Sequence, residues 1–387
     1  MTTSGNSQSR FFDVYTRDLK AEDLRRLFTR DTREAYRFFA RHVDDAELQG
    51  LPRHRRALVH LRLLFLAFSM KLSPARRILY GASLFFAFVG VLNLFRGVGF
   101  VSIGGSSGFG VGVGVPALVF RPGTVQLLIA LALMNLLVLL EVADRLLLKN
   151  DLEIARDIQQ AMLPTGLFTA SGVETAGLSR PANTVGGDFF EILPRDDGRL
   201  IVAVGDVAGK GSPAALLMAL LLAMLRTLVD EQLHPAELVT RLNVQVSRHA
   251  PPSRFITLFY GVYDATTGEL TYVNAGHTRP LLLRGSGDCE RLLEGGTALG
   301  MFDQSAYAAG CARLQPSDLL AVYSDGITEA ENPSGRPFDE PGLEAVLRAN
   351  RDAKVSDLGS AVVQAVERYT ADTRLADDLT ILLLRRT

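Results

Sequence analysis

Two stretches of this chain are apolar on every face. Ile78–Phe95 (ILYGASLFFAFVGVLNLF) carries no charge and would span about 27 Å as a helix rising about 1.5 Å per residue. Thr124–Leu140 is also uncharged and reaches spanning length if Val142 and Ala143 continue it. Runs of this kind suit a bilayer better than the core of a soluble domain. The pattern therefore predicts a transmembrane helical hairpin, with helices near 78–95 and 124–143, inside a membrane module over 57–148. Residues 57–70 include His60 and Arg62 and read as an interfacial amphipathic helix rather than a third span. The first run begins too late, behind too long a polar lead, to be a cleaved signal peptide. Residues 1–56 read as a cytoplasmic N-terminal segment, helical over about 18–48, with no chemistry assigned.

Beyond the second run the pattern becomes amphipathic. Glu141–Pro164 is rich in helix formers, repeats Ile154, Ile158 and Met162 at four-residue intervals, and stops at Pro164. A linker helix over 149–165 with such a stripe can pair with a copy of itself or dock on the next domain; a plain spacer is the alternative. From Gly172 on, β-rich runs predict strands at 199–205, 255–263, 269–275, 280–284, 318–323 and 379–385. Helical periods fall at 212–230, 235–249, 339–350 and 355–370. The 255–275 pair reads as a hairpin through Asp264-Ala265-Thr266-Thr267-Gly268. Hairpins with grouped helices favour an α+β fold, a two-sheet β-sandwich flanked by helices, over a regular parallel array.

Composition sharpens this picture. The 387 residues are enough for two or three domains, and a mean hydropathy of +0.17 with 21% charged residues reflects the apolar runs. A formal net charge of -1 argues against a general nucleic-acid binder. Cys289 and Cys311 are the only cysteines and sit in no metal-type spacing, which excludes a zinc cluster and places the catalytic half in a reducing compartment. Arg53, Arg55, Arg56, Arg62, Lys71, Arg76 and Arg77 precede the first span and Arg145 and Lys149 follow the second, whereas Arg96 and Arg121 alone flank the loop between. The positive-inside rule then puts both termini in the cytoplasm and the 97–123 loop outside. The glycines of that loop (104–110) lack the strand-then-helix context of a nucleotide loop.

Four aspartates each stand where an apolar run meets a tight turn: Asp188 in GGDFF, Asp206 in GDVAGKG, Asp325 in SDG and Asp377 in DDLT. Converging carboxylates repel and raise one another's pKa unless cations hold them. Hard oxygen donors point to Mg²⁺ or Mn²⁺ rather than zinc. Two look-alikes fail on detail. Gly205–Ser212 has three residues between its glycines where a P-loop has four, and Gly211 follows Lys210 where Ser or Thr is needed. Gly186–Phe190 departs from the GGDEF signature of diguanylate cyclases at Phe189.

VGGDFFEI (185–192), GDVAGKGSPAALLMA (205–219), NAGHTRPLLL (274–283), DLLAVYSDGITEAEN (318–332) and DDLTILLLR (377–385) occur in order. Together with the helical lead EIARDIQQAMLP they resemble the metal-dependent PPM protein serine/threonine phosphatases, in the bacterial SpoIIE/RsbU-like subfamily. The resemblance covers roughly 150–387 and implies a PPM-type phosphatase domain over 166–387. It implies that Asp206 bridges two metal ions (Mn²⁺ or Mg²⁺), that Val207 lends a backbone carbonyl, that Asp325 and Asp377 complete the first metal, and that Asp188 holds the water shell of the second. Asp377 is preferred to Asp378 because it opens the motif, which leaves Asp378 a turn or supporting role. Lys210, His277, Thr328, Glu329 and Arg180 are secondary candidates, and no arginine matches the phosphate clamp of the type 2C branch. Glu191 and Ala298 stand where many relatives carry Asp and Pro.

The expectation is a membrane-anchored phosphatase in the bacterial cytoplasmic membrane, its phosphatase domain cytoplasmic. By resemblance its substrate is a phosphorylated STAS-type anti-sigma-factor antagonist or another small signalling protein, with a homodimer through the linker helix an option. Rival readings are an inactive PPM-fold scaffold and a metal phosphohydrolase acting on a small molecule.

Overall fold

Leu200, Val202 and Val204 alternate with Ile201 and Ala203 along one strand, and all five are buried, in two different cores. Successive strand side chains point to opposite faces, so a strand buried throughout must be covered on both sides. The same holds where Leu320 and Val322 face one way and Leu319, Ala321 and Tyr323 the other. Those alternations define four layers. The structure, a computed structural model, describes residue 69 and residues 72–95, 98–103, 113–118 and 123–387 apart from 165, 171, 252 and 372–374. The chain divides into two units, Met1–Leu146 and Leu147–Thr387.

In the first unit, α1 (Pro74–Phe95) packs antiparallel to the start of α2 (Gly123–Met162). Small residues let the backbones approach: a Cβ on Gly123 would meet the Gly90 carbonyl at 2.8 Å. Ser83 Oγ donates to the Ala130 carbonyl at 3.3 Å and Asn93 Nδ2 to Gln126 Oε1 at 2.8 Å. Arg76 pairs with Glu141 at 3.1 Å and with Asp144 at 2.7 Å. Outward faces stay apolar, with Ile78, Phe85, Phe88, Leu128 and Leu139 exposed. Between the helices, β1 (Val98–Ile103) and β2 (Val113–Leu118) pair antiparallel, Val98 opposite Leu118. The expected helices at 18–48 and 57–70 and the glycine run 104–110 lie outside the described residues, Ser69 excepted. The second span and the linker form one continuous helix of 40 residues.

In the second unit one sheet runs β10-β9-β13-β14-β4-β3 and the other β11-β8-β7-β6-β5, with β12 (Gly310–Arg313) also on β8 (Glu269–Ala275). The first comprises β3 (Leu167–Ala170), β4 (Val173–Arg180), β9 (Leu281–Leu283), β10 (Cys289–Arg291), β13 (Leu319–Tyr323) and β14 (Leu379–Arg386). The second comprises β5 (Phe189–Pro194), β6 (Arg199–Val207), β7 (Ile256–Asp264), β8 and β11 (Gly295–Gly296). All pairings are antiparallel except β11 with β8. Phe190, Val202, Val204, Phe259, Tyr272, Leu320, Val322, Leu382 and Leu384 fill the space between the sheets.

Helices cover both outer faces. α3 (Ser212–Val229) and α4 (Pro235–His249) pack on the β6–β7–β8 side, α3 through Ala214, Leu217, Met218, Leu221, Leu222 and Leu225. Pro213 and Pro235 open these two helices at positions that need no amide donor. A short turn α5 (Asp325–Thr328), α6 (Asp339–Ala349) and α7 (Val355–Tyr369) cover the β13–β14 side. The α+β two-sheet sandwich flanked by helices is therefore the architecture of this unit.

Among the described residues three helices are long and apolar enough to cross a membrane by length and composition: Pro74–Leu94, Gly123–Met162 and Ser212–Val229, with mean hydropathies of 1.6, 2.4 and 1.9. The third needs no bilayer, because its apolar stripe is buried in the sandwich.

Candidate active site

Strand register brings the first two aspartates together. β5 and β6 pair with Phe189 opposite Gly205, so Asp188, one residue before β5, lies beside Asp206. In the other sheet Tyr323 of β13 pairs with Ile381 of β14. The chain extension of both strands at that end carries Asp325, which opens α5, and Asp377, two residues before β14. Each sheet thus contributes a pair of carboxylates from neighbouring strands.

Two glycines are required by space. A Cβ on Gly187 would lie 2.9 Å from the Val207 carbonyl oxygen and 3.1 Å from Asp206 Oδ1. A Cβ on Gly326 would lie 2.0 Å from the Asp378 carbonyl oxygen. Neither position accepts a side chain without moving backbone at the site.

Asp188 is buried and its Oδ2 has no hydrogen-bond partner. Burial first, then repulsion from Asp206, hold its carboxyl well above the usual range. Asp206 is pushed up to about 6 by burial and then by Asp325. Asp325 is raised by burial and then by Asp377. A buried carboxylate oxygen without a donor is costly, and mutual repulsion adds to the cost. A cation removes both penalties. The donors are all hard oxygens, so they fit Mg²⁺ or Mn²⁺ in kind.

Asp377 faces another way. Its Oδ2 lies 2.9 Å from Lys210 Nζ, which also donates to the Ala376 carbonyl at 2.6 Å. The hydrogen bond to Asp377 raises the Lys210 pKa. With Asp377 so engaged, no three Asp, Glu, His or Cys side chains among the described residues close into a metal cage. A cleft of about 510 Å³ opens beside this pair, lined by Lys210, Glu329, Asn332, Thr370 and Asp377.

Asp378 takes the turn role expected of it beside Asp377. Its buried carboxylate accepts from the amides of Gly187 at 2.8 Å and Ala182 at 2.7 Å, with Asp188 N at 3.5 Å. It therefore holds the Gly-Gly-Asp turn rather than facing the rim. The last turn of α2 holds the same turn from the opposite side. Gln159 Nε2 donates to the Gly186 carbonyl at 2.8 Å and its Oε1 accepts the Gly186 amide at 3.1 Å. Ile154 and Ile158 are exposed, while Gln159 is 7% exposed. Of the apolar stripe only its last member, Met162, packs against the sandwich core, and Gln159 beside it docks by hydrogen bonds.

Arg180 and Thr328 are engaged elsewhere, whereas buried His277 keeps its Nε2 without a hydrogen-bond partner. Arg180 pairs with Glu367 on α7. Thr328 Oγ1 donates to the Asp325 carbonyl at 3.2 Å, closing the α5 turn. His277 is buried, its Nδ1 2.9 Å from Thr257 Oγ1, and burial pushes its pKa down to about 4. Glu191 is 1% exposed and accepts from Arg226 Nε at 2.6 Å, while Arg226 Nη2 donates to the Met162 carbonyl at 2.5 Å.

The sandwich and its rim of aspartates define the class: a PPM-type serine phosphatase domain, preceded by apolar helices. Residues 196–387, just under half of the chain, match the family of stage II sporulation protein E (SpoIIE). The chain is 28% identical over 240 residues to the phosphoserine phosphatase RsbU of Bacillus subtilis, covering 62% of this chain and 71% of RsbU. It is 28% identical to protein IcfG of Synechocystis over 263 residues, 61% of this chain but 41% of IcfG. Among solved structures it resembles the PP2C domain of SiaA from Pseudomonas aeruginosa, with TM-score 0.55 and 22% identity over 63% of this chain and 99% of that one. It also resembles the RsbU and RsbW domains of a Mycobacterium tuberculosis protein, with TM-score 0.51 and 26% identity, over 58% and 63% of the two chains.

Proposed function

We propose that this protein is a membrane-anchored phosphatase that hydrolyses phosphoserine or phosphothreonine on a small signalling protein, of the STAS-type anti-sigma-factor antagonist class. The observation that carries the reading is the buried, partnerless Oδ2 of Asp188 beside Asp206, on a rim where burial and mutual repulsion raise the carboxyl pKa values. That arrangement is unfavourable for an empty structural turn and suits a site built for cations.

Asp206, the Val207 carbonyl, Asp325 and Asp377 would hold the first of two divalent ions, Mn²⁺ or Mg²⁺, with Asp206 shared. Asp188 would orient water on the second. Bound there, the pair supplies a lowered pKa for an attacking water and neutralises charge on the phosphoryl group. Asp378 keeps the Gly186–Asp188 backbone fixed while this happens, and Gly187 leaves room for the Val207 carbonyl. Lys210 leaves Asp377 free for the ion once its own amine turns to solvent or to the phosphate. The cleft lined by Glu329, Asn332 and Thr370 gives a phosphorylated side chain access beside Asp377. Support for phosphoserine as the group hydrolysed comes from RsbU, itself a phosphoserine phosphatase. Two helices of spanning length and hydropathy support the anchor, and the flanking arginines support a cytoplasmic phosphatase unit.

One observation favours the rival scaffold reading: the Lys210–Asp377 pair occupies a proposed ligand. Calorimetric titration with Mn²⁺ separates the two, since a scaffold with a decayed site takes up no ion. For the enzyme, Mn²⁺-dependent phosphate release from a phosphoserine peptide is expected, and it should vanish in Asp325→Asn. Full activity in that variant would sink the site assignment.

A further inference from the structure

The Gly186 peptide is gripped by a side chain that behaves as a piece of β-strand. Gln159 donates to the carbonyl and accepts from the amide of the same residue, at 2.8 and 3.1 Å. Two neighbouring strand residues exchange the same pair of bonds in an antiparallel ladder. A carboxamide offers such a donor and such an acceptor side by side on one planar group. The next residues along, Gly187 and Asp188, are held from the other side by Asp378. Asp188 follows at once, its Oδ2 still free.

We propose that Gln159 is a positioning residue for the metal site, fixing the Gly186 peptide so that the Asp188 carboxylate stands ready for its ion. The inference rests on the metal role proposed above for Asp188. It gives the last turn of α2 a defined task. That turn is itself tied down, because Arg226 caps the Met162 carbonyl and is held by the buried Glu191. The glutamine therefore sits on a fixed stretch of helix, and both of its bonds form or break together.

The reach of the side chain makes the role specific. Glutamate would lose the donor and bring a negative charge toward Asp378 and Asp188. Methionine would keep the volume and lose both bonds. Gln160, exposed on the next position, makes neither contact.

The test uses the full-length protein in detergent micelles. Hydrogen–deuterium exchange is followed without metal, and Mn²⁺ binding is followed by calorimetry. In Gln159→Met and Gln159→Glu, exchange should quicken over residues 182–188 while α7 stays protected. The Mn²⁺ concentration for half-saturation should rise about tenfold, equivalent to about 1.4 kcal/mol. KM for a phosphoserine peptide should stay unchanged, and Gln160→Ala should match the wild type throughout. Unchanged exchange and unchanged Mn²⁺ binding in Gln159→Met overturn the proposal. So does faster exchange spread equally over α7, which would make Gln159 a packing residue only. If the wild type hydrolyses no phosphopeptide but the exchange and Mn²⁺ effects hold, the clamp stands and the phosphatase reading falls.

Discussion

The carboxylate of Asp378 accepts the amide of Gly187 at 2.8 Å, across 191 positions of sequence. Its neighbour Asp377, half-exposed, pairs with Lys210 instead. Two adjacent aspartates thus divide the work of one motif, and substitutions should separate them. Asp378→Ala strands the buried Gly187 amide and the half-buried Ala182 amide, and is expected to cost about 2–4 kcal/mol of stability in EDTA. Asp377→Asn loses one exposed ion pair and should change stability by less than about 1 kcal/mol, yet abolish Mn²⁺-dependent activity. Urea unfolding and phosphate release, measured on both variants, check the division.

Asp206 should change sign with metal. Its folded pKa is raised to about 6, so between the unfolded carboxyl range and pH 6 the folded state holds the extra proton. Its contribution to stability is present at low pH and is lost as pH rises through 6. Without metal at pH 7.5, Asp206→Asn is expected to stabilise by on the order of 1–2 kcal/mol, the group being partly solvated. With saturating Mn²⁺ the wild type should be the more stable. Melting curves in EDTA and in Mn²⁺ test both halves; a destabilised variant in EDTA would contradict the account.

His277 works in the opposite direction. Burial depresses its pKa to about 4, so below about 6.5 the unfolded chain takes up a proton that the folded protein refuses. Stability is lost as pH falls from there, by at most about 1.4 kcal/mol per pH unit. Asp206 offsets part of this over the same window. The slope should therefore be read as the difference between wild type and His277→Asn, in EDTA, from pH 7 to 4.5. Parallel pH profiles would show that the imidazole does not titrate as argued.

The native cysteines report orientation. Both lie in the C-terminal unit, and Cys311 is exposed. A membrane-impermeant maleimide should leave intact cells unlabelled and label Cys311 in inverted vesicles. A cysteine introduced by Ser106→Cys, on a background lacking the native pair, should react in intact cells. The reverse pattern would place the phosphatase unit outside.

Much of the sandwich was legible because several strands are apolar on both faces and two of its helices begin at proline. The strands expected at 269–275 and 255–263 are found at Glu269–Ala275 and Ile256–Asp264. β4 escaped notice because VETAGLSR has little β-branched or aromatic content, and the partner that stabilises it is the remote β14. The aspartates were legible as strand-end acids, since their turns are marked by glycine or a second acid. Gln159 was not. Its neighbours Ile154 and Ile158 set the visible period, and hydrophobic periodicity is silent about a polar group that buries itself by hydrogen bonding to backbone. For Asp378 the turn role was legible from its place after Asp377, but not the amides it holds, Gly187 and Ala182, which lie 191 and 196 positions away.

The rim draws its carboxylates from Asp188 to Asp377, about 190 residues of chain, and β14 enters its sheet between β13 and β4. Contacts this distant in sequence form late in folding. A fragment that lacks β14 could therefore not assemble the proposed ion-binding centre, however well its early strands have paired. On that reading, the ability to take up a divalent ion would mark a molecule that has finished folding.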